Sequence, residues 1–523
     1  MISTDLERRR NWGNQVGVAG LAMVAAVGTF LATRHGPALS ADSVTYLSVA
    51  RNILSGQGYT DFTGQAVTTF APGFPVLLAA GHWTGLSLLT TARLLNGASF
   101  MCVVALTWVV LHRHTRSPAI LWGATAFIAV SQAMLNVADH AWSEPLFCVL
   151  ILLFTLVLED AVTRRREGAT LNVGAGLVVG CAFLVRYAAV ILIVVGIVVL
   201  VTLFRRCGIR VLMSRVGVFL VSASILPAIW ILRNAGSGAP YLLGPRLSSP
   251  TSIGTLTRLF TTSYASLFLP DFSTRSVILL ILSTTPLLLG LAVLFRTDNR
   301  RRGCGRTLLP TATFVCLYPI FVVVSGKLSG SSIDTRLVAP MFPSAVIIIA
   351  VLLDEVIVGA PERKRASGSR SIQSVIRFGL LGVGSIVLIA SVVLFVEKID
   401  DDGATAHAYA SPSFARSELA AFVRALRPGS MVATNRPWAL YVGTGRQPIV
   451  PSPAPLYPSA SLVPTTVDML TDQACSRRVY LAWFDHPVAT PPSPRVSGLR
   501  LHLLREADDG ALFRIDGDPA CRA

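Results

Sequence analysis

Apolar runs recur along the first four fifths of this 523-residue chain, and most are long enough to cross a bilayer as helix, which takes roughly 17 to 25 residues. Eleven are read: Gly13–Thr33, Leu86–Leu111, Pro118–Asn136, Pro145–Leu158, Leu171–Leu184, Ala188–Phe204, Val216–Leu232, Ser276–Phe295, Leu308–Val324, Leu337–Leu353 and Ile376–Val396. The fourth and fifth are short. Composition points the same way, with 52% hydrophobic and 14% charged residues, where soluble domains carry about a quarter charged. The mean hydropathy is +0.61. Ala71–Ala80 (APGFPVLLAA) is left out of the count, because its two prolines and short length suit an interfacial or re-entrant piece. The expected fold is an all-α polytopic membrane protein followed by a small domain.

A formal net charge of +17 invites a nucleic-acid reading, and the placement of the charge removes it. With the amino terminus in the cytoplasm, that side holds 22 of the 45 Lys and Arg residues, in Arg8–Arg10, Arg113 and Arg116, Arg164–Arg166, Arg205–Arg215, Arg296–Arg306 and Arg363–Arg377. The opposite side holds 10, and the other 13 fall in the carboxy-terminal segment, where a long translocated domain escapes the bias. Cytoplasmic loops enriched in Lys and Arg thus orient the chain, amino terminus inside and carboxy terminus outside, and account for the excess without a nucleic-acid partner. Arg8–Arg10 ahead of Gly13–Thr33, with Ala38-Leu39-Ser40 beyond it, resembles a cleavable signal peptide. The run is longer than such signals and further spans follow it, so it is read as a first span.

Residues 398–523 differ from residues 1–397 in kind, with dense Pro, Ser and Asp and short strand-like runs, Arg478–Phe484 (RVYLAWF) and Leu512–Ile515 (LFRI). Ser417–Leu426 (SELAAFVRAL) has helical spacing and Ser430–Thr434 (SMVAT) suits a strand, so the segment is expected to be a small extracytoplasmic α/β domain. Cys475 and Cys521 both lie in it, where an oxidising compartment would permit a disulfide; the cysteines show no metal spacing.

The outer loops Arg34–Gly85, Ala138–Glu144, Arg233–Arg275 and Gly326–Arg336 hold only six acidic residues: Asp42, Asp61, Asp139, Glu144, Asp271 and Asp334. Loops on a rigid helical scaffold are where a membrane enzyme builds its site. Asp42 opens Ser43–Leu54, whose Leu47, Ala50 and Leu54 share a helix face ahead of Gly56-Gln57-Gly58. Its plain role is N-cap of that surface helix. A helix N-terminus also keeps a carboxylate ionised, so the cap and a catalytic base are compatible.

Asp42, Tyr59, the PGFP of Pro72–Pro75, Ser143-Glu144-Pro145, Arg186-Tyr187 and Asp334–Pro343 (DTRLVAPMFP) follow one another, each at the outer end of a span or loop. In this order the chain resembles the GT-C glycosyltransferases, multipass enzymes that use polyprenyl-phosphate sugars, and most closely the branch of protein O-mannosyltransferases and the lipid A aminoarabinose transferase. The resemblance runs through about Val396. It implies Asp42 as the base, Glu144 as the acid of the second outer loop, and Arg186 and Arg336 as groups facing the donor phosphate. Two positions depart from the common pattern: Ser43 stands where some branches have a second acid, and Leu337 where Tyr is frequent.

A sugar on a lipid phosphate already has a good leaving group, so transfer needs a base for the acceptor hydroxyl and cations for the departing phosphate. Guanidinium groups suit the phosphate through paired hydrogen bonds. The expected function is transfer of a sugar from a polyprenyl-phosphate donor to a cell-envelope acceptor, a glycan, lipid or protein, by single displacement with inversion. Tyr59, Asp334, Lys327 and His140 are further candidates for substrate contact, as is His82. Plainer roles stand beside these: Glu144 favouring the helix start at Pro145, Arg186 snorkelling to an interface, Asp334 pairing with Arg336, and Lys327, His82, Asp61 and Asp271 solvated. Asp139, His140 and Glu144 could hold a divalent cation, and no cofactor is certain. The alternative function is a transporter or lipid flippase, which would more often place charges within spans and break helices in paired halves.

Overall fold

In the computed structural model, the described residues are 2–163, 168–238, 241–244, 249–268, 308–330, 332–358, 370–405, 407–411, 414, 416–448, 464–484 and 500–517. They divide into two compact units, Met1–Arg34 with Thr68–Ala404, and His35–Val67 with Thr405–Ala523. A linear division at residue 398 therefore gives way to a discontinuous one, in which most of the first long loop joins the terminal segment. Contacts within the second unit show why: the Tyr409 amide donates to the Leu39 carbonyl at 2.9 Å, Phe62 stacks on Tyr441 with ring centres 4.9 Å apart, and Arg51 donates to the Tyr441 hydroxyl at 2.8 Å.

The first unit is helical and polytopic. Among the described residues, eight helices have the length and apolarity to cross a membrane: Gly13–Ala32, Leu88–His114, Pro118–Ala138, Tyr187–Phe204, Ile209–Ala235, Leu309–Ser329, Thr335–Glu355 and Phe378–Ala404. Each coincides with an expected run. The expected Pro145–Leu158 lies inside the helix Glu144–Thr163, Leu171–Leu184 inside the shorter apolar helix Thr170–Val185, and Ser276–Phe295 outside the described residues. Ala71–Ala80 becomes an 11-residue helix, Gly73–Trp83, too short to span. A Cβ at Gly73 would sit 2.7 Å from the Leu184 carbonyl oxygen, so this short helix begins hard against the end of the Gly168–Val185 helix. The Arg233–Arg275 loop carries an unexpected amphipathic helix, Ile253–Ser266, capped by Ser252.

Polar contacts tie the helices together at both ends. At one end His114 meets Glu159 at 3.3 Å, Arg113 meets Asp160 at 2.8 Å, and the Arg116 and Ser117 amides donate to Asp354 at 3.0 and 2.7 Å. At the other end lie the starts of the Glu144 and Thr335 helices and the finish of the Gly168–Val185 helix. A close helix contact lies between Gly168–Val185 and Ile209–Ala235: a Cβ at Gly176 would stand 1.9 Å from Ser222 Oγ and 2.6 Å from the Phe219 carbonyl oxygen. Gly180, one turn on, lies against Ala223 and Leu226. Small residues four apart let backbones approach where lipid supplies no hydrophobic drive.

The second unit contains a four-stranded sheet, β1 (Met431–Thr434), β2 (Val479–Phe484), β3 (Arg500–Ala507) and β4 (Gly510–Asp516), in the order β1-β2-β4-β3. The first pair is parallel and the others antiparallel. β2 is buried along its whole length because it has a core on each face. Val479, Leu481 and Trp483 pack with Leu470 and Phe513, and Tyr480, Ala482 and Phe484 pack with Leu419, Val423 and Leu440. The expected small α/β domain is thus present, its Glu418–Ala425 helix capped by Ser417. Cys475 is disulfide-bonded, and Cys521 lies outside the described residues.

Candidate active site

The segment Asp139–Pro145 leaves one helix, Gln132–Ala138, and starts the next. Pro145 suits the second helical position because its missing N–H would have no partner there. Glu144 is then the first helical residue, where the free amides favour a carboxylate. Arg186 stands in extended conformation between the Gly168–Val185 helix and a 3-10 turn at Tyr187–Ala189. The Tyr187 hydroxyl donates toward the Thr68 and Phe70 carbonyls at 3.0 and 3.2 Å and accepts from Trp230 Nε1 at 2.8 Å, fixing this corner. Arg336 is the second residue of a short helix, Thr335–Val338, capped by Asp334 through the Leu337 amide at 3.0 Å.

These three residues, far apart in sequence, converge. Arg186 Nη1 lies 2.6 Å from Glu144 Oε1, Arg336 Nε donates to the same oxygen, and Arg186 also donates to Ser143 Oγ at 3.2 Å. Glu144 is 0% exposed. Its Oε2 finds no hydrogen-bond partner among the described residues. Glu144 precedes the apolar stretch that begins at Pro145. Burial works against its ionisation, but Arg186 and Arg336 together outweigh burial and hold the carboxyl below its ordinary range. Two guanidinium groups and one carboxylate leave the cluster with a net charge of +1, cationic character suited to an anion.

A second cluster adjoins it. Asp139, just past the Pro118–Ala138 span, pairs with His140 and with Lys398 at 3.1 Å. Burial opposes its charge, and His140 and Lys398 more than compensate, so its carboxyl also lies below the ordinary range. His140 stacks on Trp142 with centres 3.8 Å apart. Asp139 and Glu144 therefore spend their charge on cations of the chain. Among the described residues no group of three or more His, Cys, Asp or Glu side chains gathers as a cation site.

The remaining candidates fall elsewhere. Asp42 and Tyr59 belong to the second unit. Ser40, not Asp42, caps the Ala41–Leu54 helix, accepting from the Ser43 amide, and Asp42 sits inside the first turn. The expected cap was displaced by a hydroxyl two residues earlier, and the favourable end of the helix still faces Asp42's turn. Tyr59 is buried, and its carbonyl accepts from the Val67 amide. Asp334 serves as a cap while Arg336 turns to Glu144, so the expected Asp334–Arg336 pair is replaced. Lys327 donates to the Ser249 and Thr251 carbonyls at 2.6 and 3.1 Å, which makes it a loop anchor. His82 Nδ1 meets the Leu86 carbonyl at 2.8 Å, and Asp61 accepts from the Thr63 amide at 2.8 Å. Asp271 lies outside the described residues. Sequence reasoning missed Lys398 and Trp142; the one signal for Lys398 was an ammonium at the end of an apolar run.

No protein-family model and no curated protein sequence matches the chain. Solved structures do. ArnT from Cupriavidus metallidurans bound to undecaprenyl phosphate aligns over 94% of this chain and 97% of its own, with TM-score 0.57 at 13% identity. Its apo form aligns over 96% and 98%, with TM-score 0.58 at 13% identity. The Archaeoglobus fulgidus oligosaccharyltransferase tethered with an acceptor peptide aligns over 90% of this chain and 69% of its own, with TM-score 0.52 at 10% identity. At these identities the likeness is one of architecture, and it extends nearly from end to end: this chain has the fold of the GT-C glycosyltransferases.

Proposed function

We propose that the protein is an integral membrane glycosyltransferase that moves a sugar from a polyprenyl-phosphate donor to a cell-envelope acceptor, on the side of the membrane opposite its amino terminus. The observation that carries this reading is the convergence of Arg186 and Arg336 on buried Glu144, which presents two guanidinium groups with one positive charge in excess. The fold adds support, since one of the similar structures is bound to undecaprenyl phosphate. Orientation rests on the bias of Lys and Arg toward the loops expected in the cytoplasm.

In the proposed reaction the acceptor hydroxyl oxygen attacks the anomeric carbon as the bond from that carbon to the phosphate oxygen breaks. The electron pair leaves with the lipid phosphate, and the configuration inverts. Asp42 is assigned as the base that takes the hydroxyl proton, on the resemblance in sequence order and on its place in a first helical turn. Arg186 and Arg336 are assigned to the phosphate, whose charge grows as the bond breaks. Glu144, expected among the catalytic groups, is given a different task. Fully buried beneath both arginines, it holds them in place.

The test is a product assay of the purified chain in lipid nanodiscs, with a panel of polyprenyl-phosphate sugars and a cell-envelope extract. Asp42→Asn is expected to lower transfer by about 10² to 10⁴ while retaining donor binding. Normal turnover in that variant overturns the base assignment. Absence of transfer across the panel, together with movement of the lipid between leaflets, would replace the enzyme reading with a flippase.

A further inference from the structure

Arg336 touches more than Glu144. Its guanidinium carbon lies 4.4 Å from the centre of the Trp142 ring, and Trp142 stacks on His140 with an interplanar angle of 18°. His140 Nδ1 meets Asp139 Oδ1 and also lies 3.0 Å from the Asn136 carbonyl oxygen. The other Asp139 oxygen meets Lys398 Nζ at 3.1 Å, and that ammonium reaches Asp402 at 2.6 Å. Lys398 and Asp402 stand one turn apart near the end of the Phe378–Ala404 span. Contact is therefore continuous from the last span to the arginine.

The links have a division of labour. A contact through Nε fixes one atom of a guanidinium, whereas an aromatic ring beneath it fixes the plane. Paired hydrogen bonds to phosphate depend on that plane. Trp142 can set it only if its own ring is held, and His140 stacks on it while Asp139 fixes the imidazole. Asp139 is 3% exposed and is held in turn by Lys398. A pair that merely stapled the last span would stabilise the helix without acting on the guanidinium.

We propose that Lys398, acting through Asp139, His140 and Trp142, is a positioning residue that sets the plane in which Arg336 meets the donor phosphate. This rests on the reading of Arg336 as a phosphate-binding group.

The experiment follows arginine modification by phenylglyoxal in the full chain in nanodiscs, quantified separately at Arg336 and Arg186 by peptide mass spectrometry. Without added lipid phosphate, Lys398→Met is expected to speed modification of Arg336 about tenfold, the loss of one desolvated cation–π restraint, and to leave Arg186 within about twofold. Asp139→Asn and Trp142→Leu should release Arg336 in the same way, and Lys398→Arg should keep the original rate. An unchanged Arg336 rate in either Lys398→Met or Asp139→Asn overturns the proposal, as does an equal rise at Arg186. Undecaprenyl phosphate is then added: protection of both arginines in the parent chain, weakened about tenfold in Lys398→Met, supports it. No protection in the parent chain defeats the phosphate reading separately, because release of Arg336 is read without lipid.

Discussion

Glu144 lies at the start of its helix with no exposure to solvent, and one of its oxygens serves two arginines. Removing a partner from such a cluster strands buried charge, which costs about 3–5 kcal/mol. Glu144→Gln should accordingly lower the thermal midpoint in detergent far more than Glu144→Asp, and both should be compared by the same fluorescence melt. Acid should expose the same dependence. Glu144 and Asp139 both have folded pKa values below their ordinary 4.5 and 3.8. Their stabilisation is complete above the unfolded values and disappears as pH falls through the lower folded ones. The contribution of these two groups to the thermal midpoint should thus stay level from neutral pH to about pH 5 and fall away below about pH 4, the unfolded carboxylate range. Asp139→Asn should flatten part of the drop, and a midpoint indifferent to acid would contradict the ionised state of these groups. None of the pairing was legible in the sequence, where Glu144 and Arg336 are 192 positions apart. What could be read was the residue type at each helix end; a charge that must leave water at such a place needs a partner, but apolar spacing does not say which.

Elements were more legible than pairings. Long apolar runs declare spans because the bilayer thickness fixes their length, and among the described residues the eight helices long and apolar enough to cross a membrane coincide with expected runs. Short-range chemistry was read less well. Asp42 and Ser40 are both favoured caps, and the backbone chose the serine, a competition between neighbours that residue preference alone leaves open. The Ile253–Ser266 helix was missed because its buried Leu256, Phe260 and Tyr264 are diluted by threonines. Helix contacts follow from small residues. Gly176→Leu should force apart Gly168–Val185 and Ile209–Ala235, at a cost of about 1–3 kcal/mol or more, because Ser222 and the Phe219 carbonyl occupy the space. Gly123→Leu, with nothing within 4 Å of its added Cβ, serves as control. Equal melts for the two variants would show that the first contact is not limiting.

At the scale of the whole molecule, the sequence conveyed architecture through hydropathy, and the placement of its charge is the basis of the orientation proposed above. It did not convey that His35–Val67 folds with the carboxy-terminal segment, since that association depends on a few contacts such as Phe62 with Tyr441 and carries no periodic signal. The orientation can be checked directly. Arg427, exposed beside Pro428-Gly429, should as Arg427→Cys react with a membrane-impermeant maleimide added to intact cells, above the background of the parent chain. Labelling only after permeabilisation would reverse the topology. The cluster at Glu144 also has a history written in chain order. During synthesis Glu144 and Arg186 emerge on one hairpin and can neutralise each other as they enter the membrane. Arg336 arrives after several further helices and brings the unmatched positive charge. A nascent chain would thus pass through insertion with a neutral pair and acquire the excess positive charge of the cluster only near the end of its assembly.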